Sequence, residues 1–306
     1  MTDSKQLERT RVIDLLRCMR PNQWTKNAIV LAAFFFAYFD KLQNLSLTAG
    51  LRVALPAVFL FCLASSGIYI INDLRDIASD RAHPRKRFRP IPAGRVQPGA
   101  AITLSMVLLV AALASAWLLR PAFAYVLLTY VLIQLVYTFA LKHQALVDVF
   151  VIALGFVLRA IAGAVVMDIH ISKWLLLCTF LLALFLALCK RRHEKRMIHA
   201  DGNSGSRPSL EQYDAVLLDL LIAISAASTV VCYAIYTMWG ETVLKFGTDR
   251  LAYTVPIVIF GVFRYMDLAY RHEKAERPEK VLLTDVPIIL TLGLYTLSVI
   301  VIFLTR

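Results

Sequence analysis

Long runs of apolar residues without a charge are the feature that most restricts how this 306-residue chain can fold. An α-helix that crosses a bilayer needs about 20 such residues. Five runs reach that length: Val53–Ile71, Val96–Leu119, Pro121–Leu141, Leu220–Gly240 and Val286–Thr305. Four others reach it when a few polar residues are included: Ala28–Phe39, Val149–Met167, Trp174–Cys189 and Leu251–Phe263. We therefore predict a single all-α domain over residues 1–306, a polytopic membrane bundle of nine transmembrane helices.

The distribution of basic residues predicts the orientation of these helices. Of the 33 lysines and arginines, 25 fall in alternate connecting segments, and the positive-inside rule assigns such segments to the cytoplasm. The basic segment 1–26 is then cytoplasmic, the C-terminus lies outside, and we expect a bacterial inner membrane. Because the same bias accounts for much of the net charge of +12, we expect no nucleic-acid partner.

Acidic residues gather where the second predicted helix ends, in the run Asn72-Asp73-Leu74-Arg75-Asp76-Ile77-Ala78-Ser79-Asp80. On a continuous helix Asp73, Asp76 and Asp80 share one face, where three carboxylates at the mouth of a membrane helix repel one another. Mg²⁺ relieves this repulsion, since it takes oxygen ligands from one or two carboxylates together with substrate phosphates. The pattern predicts a site for Mg²⁺ and a diphosphate, with Asn72 beside it. The alternative is an acidic helix end neutralised by the neighbouring arginines.

A loop rich in cations follows the aspartates directly. Arg85, Lys86, Arg87 and Arg89 stand among prolines, which exclude a regular helix and give the loop a defined shape. Arginine binds phosphate with two parallel hydrogen bonds, and lysine binds it as a point charge. We predict that residues 72–98 form a cytoplasmic active-site loop. The alternative role for these cations is to anchor the chain to anionic lipid.

Further candidates for phosphate binding occupy the other predicted cytoplasmic segments. They are Arg20, Lys26, Tyr137, Lys142, Lys190 and Arg191. Each cation alone is typical of an interfacial anchor, but together with the aspartates they can line one cavity that holds several phosphate groups. Arg159 differs because it lies within a predicted helix, away from the lipid headgroups. It forms either a structural ion pair inside the bundle or a phosphate contact in the cavity.

The motif Asn72-Asp73-x-x-Asp76-x-x-x-Asp80, placed at the end of the second of nine predicted helices, resembles that of the UbiA superfamily of intramembrane prenyltransferases. The resemblance implies a helical bundle around a central cavity that opens to the cytoplasm and laterally to lipid. It also implies that the aspartate motif binds Mg²⁺ and a diphosphate.

One branch of that superfamily, the decaprenyl-phosphate phosphoribosyltransferases of arabinan precursor synthesis, is the closer match. The resemblance extends over almost the whole chain. It is carried by Arg20-Pro21-x-Gln23-Trp24-x-Lys26-Asn27, by the block from Asn72 to Ile91, and by Leu141–Ala145, Arg159–Gly163, Ser172–Trp174, Lys190-Arg191 and Ser209–Tyr213. Unlike the aromatic prenyltransferases, this chain has no second aspartate-rich motif, only the single Asp148 after its fourth predicted helix.

The resemblance implies an enzyme that transfers 5-phosphoribose from phosphoribosyl diphosphate to a polyprenyl phosphate such as decaprenyl phosphate. In that reaction Asp73, Asp76 and Asp80 act through Mg²⁺ on the leaving diphosphate, and the cations named above bind the phosphates. A homo-oligomer is also consistent with the resemblance.

Two other functions remain as alternatives. A UbiA-type prenyltransferase that moves a prenyl group to an aromatic acceptor shares the aspartate site, but it predicts a second acidic cluster. A transporter of a lipid carrier uses charges within membrane helices. Here only Arg159 is such a charge, so we rank transport last.

Overall fold

In the computed structural model, residues 12–41, 43, 45–201, 210, 212–271 and 278–306 are described, and the regular structure in these ranges is helical. The predicted basic segment 1–26 is thus described only from Val12 onward, and its residues 1–11 lie outside the described residues. The α-helices are α1 (Val12–Cys18), α2 (Val30–Tyr38), α3 (Leu47–Arg75), α4 (Ile77–Ala82), α5 (Pro98–Leu119), α6 (Pro121–Phe139), α7 (Val147–Met167), α8 (Lys173–Asp201), α9 (Ala215–Met238), α10 (Gly240–Phe246), α11 (Val255–Tyr270), α12 (Pro278–Thr284) and α13 (Val286–Leu304). Short 3₁₀ helices cover Pro21–Ile29, Lys86–Phe88, Leu141–His143 and Arg250–Thr254.

Eight helical segments in the described chain are long and apolar enough to cross a membrane, which confirms the predicted all-α membrane bundle. The remaining predicted helix, Ala28–Phe39, has a different form. It consists of the nine-residue α2 and the end of the preceding 3₁₀ helix. α2 rises about 14 Å by itself, and the whole 3₁₀ helix adds about 18 Å. Only the two segments together reach the thickness of a bilayer.

Local sequence signals explain where several helices begin. The side chain of Ser46 accepts a hydrogen bond from the backbone N–H of Ala49 at the start of α3. Asp214 and Asp285 cap α9 and α13 in the same way. These residues satisfy N–H groups that have no partner inside the helix. The local sequence therefore determines where these three helices begin.

The helices of the described chain pack around four apolar clusters, two of which are large. One large cluster joins α3, α5, α6 and α7, with Phe61, Phe123 and Leu127 fully buried between them. The other joins α8, α9 and α11 around Phe185 and Leu218. Large apolar side chains on the outer helix faces are exposed, as lipid contact requires. Residues of both large clusters, including Tyr130 and Ala187, line the same cavity.

A close approach of α2 and α7 places the polar 3₁₀ helix beside the cavity. A Cβ atom added at Gly163 of α7 would collide with the backbone carbonyl oxygen of Val30. Glycine at this position therefore lets the two backbones meet. The same contact holds Asn27, just before α2, against α7, where it accepts a hydrogen bond from Arg159.

Candidate active site

A cavity of about 1370 Å³ opens at the end of the bundle where α3 stops. Side chains from the first 3₁₀ helix, α3, the loop before α5, α6, α7 and α8 form its wall. Among the described residues of this wall, two are carboxylates, Asp73 and Glu194. Nine are arginine or lysine: Arg17, Arg20, Lys26, Arg85, Lys86, Arg89, Arg159, Lys190 and Arg191. This excess of positive charge suits an anionic ligand with several charges.

The aspartate motif does not form one continuous helix. α3 ends at Arg75, Asp76 has φ −98° and ψ 12°, and α4 begins at Ile77. The three carboxylates therefore do not lie on one uninterrupted helix, because the helix breaks at Asp76. In the described residues no three acidic, histidine or cysteine side chains lie close enough together to hold a metal ion.

Asp73 and Asp80 nevertheless converge on one point. Nη1 of Arg89 donates to Oδ1 of Asp73 at 3.0 Å and to Oδ2 of Asp80 at 2.6 Å. Both carboxylates are buried, and Arg20 forms a second ion pair with Asp73. Burial and the nearby charge of Arg20 lower the pKa of Arg89. The carboxylate of Asp73 contacts both guanidinium groups and offsets the repulsion between them.

Asp76 is held by a different cation. The short 3₁₀ helix Leu141–His143 brings Lys142 to Asp76, and the two side chains form an ion pair. Lys142 is buried, whereas Asp76 is partly exposed. Lys142 therefore reaches the aspartate motif without lining the cavity, and it was expected to bind substrate phosphate directly.

The loop after the aspartates is shaped by His83. Its Nδ1 accepts hydrogen bonds from the backbone N–H groups of Arg85 at 3.2 Å and Lys86 at 3.3 Å. Burial, followed by the charge of Lys86, lowers the pKa of His83 below its ordinary 6.5. His83 is thus neutral near pH 7 and lines the cavity. His83 was not among the predicted site residues, although its position between Asp80 and the cation-rich run could have indicated it.

Most of the predicted phosphate-binding residues do line the cavity. Asn72 and Tyr137 lie in its wall with Asp73, and so do all the predicted cations except two. Lys142 is one exception. The other is Arg87, whose exposed guanidinium lies over the ring of Phe88 with 4.8 Å to the ring centroid. Phosphate binding by Arg87 therefore stays a prediction.

Arg191 lines the cavity, but its charge is balanced by protein groups. Its Nε donates to Oδ2 of Asp148 at 2.6 Å, and Glu194 forms a second ion pair with it. The hydroxyl of Tyr213 donates to the other oxygen of Asp148 at 2.7 Å and accepts the backbone N–H of Leu146. The network joins α7, α8 and the segment before α9. Leu146 has φ 66°, a left-handed conformation that costs energy for a branched side chain.

The first 3₁₀ helix is held against α3 by polar contacts near the cavity. Nε1 of Trp24 donates to Oγ of Ser66 at 3.0 Å, and Oγ of Ser66 donates to the carbonyl oxygen of Met19. Arg20 has φ 52°, and its guanidinium lies 5.3 Å from the ring centroid of Tyr69. These contacts place the cation of Arg20 beside Asp73. The conformation of Arg20 was not foreseen from sequence.

Arg159 occupies the floor of the cavity, which we define as Tyr130, Gln134 and Arg159. It is 5% exposed and donates to the amide oxygen of Asn27 at 2.8 Å. Its hydrogen-bond partners among the described residues are neutral, which does not support the alternative of a structural ion pair.

Known proteins resemble this chain in sequence and in fold. The model of the UbiA prenyltransferase family matches residues 28–284. A decaprenyl-phosphate phosphoribosyltransferase of Mycolicibacterium smegmatis is 38% identical over 280 residues, which cover 90% of this chain and 87% of the relative. The protein of the same name from Corynebacterium glutamicum is 34% identical over 256 residues, covering 82% of this chain and 75% of the relative.

The fold is that of solved UbiA structures. A UbiA homolog from Archaeoglobus fulgidus bound to GPP and Mg²⁺ superposes with a TM-score of 0.70 at 19% identity, covering 95% of this chain and 99% of the other. With DMAPP and Mg²⁺ bound, that homolog superposes with a TM-score of 0.68. The apolar helices and this relationship make the chain a multi-pass membrane protein. The protein belongs to the UbiA prenyltransferase family, together with relatives named decaprenyl-phosphate phosphoribosyltransferase.

Proposed function

We propose that this protein transfers 5-phosphoribose from phosphoribosyl diphosphate to a polyprenyl phosphate and releases diphosphate. The charge of the cavity is the observation that carries the proposal. Nine arginines and lysines face two carboxylates among its described lining residues. A prenyl donor with an aromatic acceptor brings phosphate at one end of one substrate. A phosphorylated sugar donor and a lipid phosphate acceptor bring phosphate in three places.

Magnesium fits the aspartate end of the cavity. Two buried carboxylate oxygens, one from Asp73 and one from Asp80, already converge on a single cationic nitrogen of Arg89. Mg²⁺ is commonly bound by one or two carboxylates together with phosphate oxygens. Asp73 and Asp80 would therefore hold the ion, and Asp76 would join them only by releasing Lys142. Bound there, the ion supplies Lewis-acid stabilisation of the charge on the leaving diphosphate.

The chain's own residues bind and orient two anions. Arg20 and Arg89, released from Asp73 when the donor binds, contact the diphosphate oxygens. Lys26 and Lys190, in the cavity wall, offset the repulsion between donor and acceptor. An oxygen of the lipid phosphate forms a bond to the anomeric carbon, and the bond from that carbon to the diphosphate oxygen breaks. The electron pair leaves with the diphosphate.

No proton transfer is required in this reaction, because the attacking group is already an anion. The residues named above act by positioning and by electrostatic stabilisation rather than as acid or base.

The acceptor lipid needs an apolar path to the bilayer. Part of the cavity wall is apolar, with Ile13 and Leu16 of α1, Met197 of α8 and Leu283 of α12. These side chains offer a surface along which a polyprenyl chain leaves the site. We assign this end of the bundle to the cytoplasmic face of a bacterial inner membrane, because the basic segments gather there.

The test is a transfer assay with detergent-purified protein, Mg²⁺, phosphoribosyl diphosphate and a polyprenyl phosphate. We expect diphosphate release and a lipid product heavier by one phosphoribosyl group, both abolished by EDTA and by Asp73→Asn. Asp168→Asn is the matched control, because Asp168 pairs with Arg120 through an exposed side chain away from the cavity. Turnover of a prenyl diphosphate with an aromatic acceptor, and none of phosphoribosyl diphosphate, would overturn the proposal.

A further inference from the structure

The floor of the cavity holds a buried cation whose recorded partners are all neutral. Arg159 donates from Nε to the amide oxygen of Asn27, from Nη1 to the carbonyl oxygen of Gly155 and from Nη2 to the hydroxyl of Tyr130, each at 2.8 Å. Its guanidinium also lies over the rings of Tyr130 and Phe156, 4.7 Å and 5.4 Å from their centroids.

The other deeply buried arginine of the cavity, unlike Arg159, has carboxylate partners. Arg191, on the opposite wall, is balanced by Asp148 and Glu194. Neutral dipoles and aromatic rings stabilise a cation less than a carboxylate does, and an uncompensated buried charge is costly. Of these two buried arginines, Arg159 therefore gains more from an added anion.

The floor also has donors and space for that anion. A guanidinium carries five N–H donors, and three of those of Arg159 are used by the contacts above. The amide of Gln134 lies in the same floor. A Cβ atom added at Gly155 would lie 3.1 Å from Nε2 of Gln134 and 3.4 Å from Nη1 of Arg159, so glycine keeps the space between these groups open.

The floor is separated from the aspartate end along α3. Asn27, the partner of Arg159, donates to Oγ of Ser65, and Ser65 precedes Asp73 by two turns of α3. Two turns of α-helix rise about 11 Å. An anion at the floor would thus be separated from a diphosphate at the aspartate end, as a sugar with a phosphate group at both ends requires. A hydrocarbon tail placed in the floor would cover Arg159 without pairing it.

We infer that Arg159, Tyr130 and Gln134 form the subsite for the 5-phosphate of the sugar donor and select against a prenyl donor. The inference rests on the proposed function for the identity of the donor. It divides the cavity into a diphosphate end at Asp73 and Asp80 and a monophosphate end at Arg159. These three floor residues then determine which diphosphate the enzyme accepts.

Binding to the full-length purified protein without acceptor tests this subsite independently of turnover. Isothermal titration would compare ribose 5-phosphate, ribose and inorganic diphosphate, all with Mg²⁺. We expect Arg159→Gln to weaken ribose 5-phosphate binding about 10- to 100-fold, since charged hydrogen bonds are lost. Diphosphate binding should change less than about twofold, because its site lies at the other end.

Two further variants separate a binding role from a structural one. Gln134→Leu leaves the recorded hydrogen bonds of Arg159 intact, and it should weaken ribose 5-phosphate binding about 3- to 10-fold. Arg120→Gln, at the other end of the bundle, should leave all three titrations unchanged. Equal weakening of diphosphate and ribose 5-phosphate by Arg159→Gln, or no weakening of either, would overturn the inference. If ribose 5-phosphate binds as expected but no phosphoribosyl transfer occurs, only the proposed function fails.

Discussion

Lys142 forms an ion pair with Asp76, the residue at which α3 stops and α4 begins. The pair links the loop after α6 to the aspartate motif, 66 residues earlier in the chain. Because Lys142 is buried and Asp76 is half-buried, the pair holds the break in the motif in one geometry. Asp73 and Asp80, which lie on either side of the break, both pair with Arg89.

Lys142→Met should lower both stability and activity. Removal of the ammonium leaves Asp76 without its partner near the apolar bundle, which costs about 1 to 3 kcal/mol. We expect kcat/KM for phosphoribosyl diphosphate to fall about 10-fold or more as the motif loses its geometry. Thermal unfolding in detergent and initial rates measure the two effects. Lys173→Met is the control, because Lys173 is exposed at the start of α8. Full activity in Lys142→Met would contradict this role.

Tyr213→Phe should destabilise the network that Tyr213 forms with Asp148 and Leu146. The change removes the hydrogen bond to Asp148 and the acceptor for the N–H of Leu146, so we expect a loss of about 1 to 3 kcal/mol. The exposed Tyr253 gives the matched control, Tyr253→Phe. Hydrogen exchange of residues 141–148 measures the effect locally. Equal exchange in the two variants would show that Tyr213 does not hold this loop.

Acid should loosen the loop that follows the aspartates. The pKa of His83 is lowered in the folded protein from its ordinary 6.5, with burial and Lys86 as the first causes, Arg89 acting likewise, and Asp80 and Glu194 opposing them. The stability that His83 contributes is thus fully present above pH 6.5 and is lost as the pH falls below that value toward the folded pKa. Protonated Nδ1 no longer accepts the N–H groups of Arg85 and Lys86.

Limited proteolysis between about pH 7.5 and 5.5 measures this loosening, with the exposed His170, changed to Asn, as control. We expect faster cleavage within residues 81–95 at low pH in the wild type and in the control. His83→Asn should show a cleavage rate that does not change with pH. A wild-type rate that is also constant over this range would rule out His83 as the titrating group.

Gly163→Ala should separate α2 from α7. The added methyl group meets the carbonyl oxygen of Val30, and forcing a group into such a contact costs about 1 to 3 kcal/mol. Gly293→Ala on α13 is a sharp control, since no neighbouring atom lies within 4 Å of its added Cβ. It should be neutral or stabilise by about 1 kcal/mol through helix propensity. Melting temperatures that change equally in both variants would argue against the close approach.

The helical periodicity of the sequence did not predict the backbone break at Asp76. The spacing of Asp73, Asp76 and Asp80 fits one helical face, and it predicted a single helix through all three. In the structure the three aspartates have different partners. Asp73 and Asp80 form ion pairs with Arg89, whereas Asp76 forms one with Lys142. Ion pairs between residues far apart in the chain leave no trace in local periodicity.

The sequence by itself determined the class of this protein. Apolar runs of bilayer length can be buried only in lipid or in a helical bundle, so length and hydropathy were enough to predict the eight long helices. The motif residues were likewise sufficient to predict the family and most of the cations in the cavity wall. These properties are local, because each helix satisfies its own backbone hydrogen bonds.

Only the tertiary structure decided which charged side chains pair with each other. A phosphate contact was the prediction for Arg191 and one of two alternatives for Arg159. Arg159 contacts Asn27, Gly155 and Tyr130, whereas Arg191 contacts Asp148. Tyr130 and Gln134 were not selected at all, since a polar residue in an apolar run shows no direction by itself. A side chain is balanced or available according to its neighbours in space, and those neighbours come from helices that are distant in the chain.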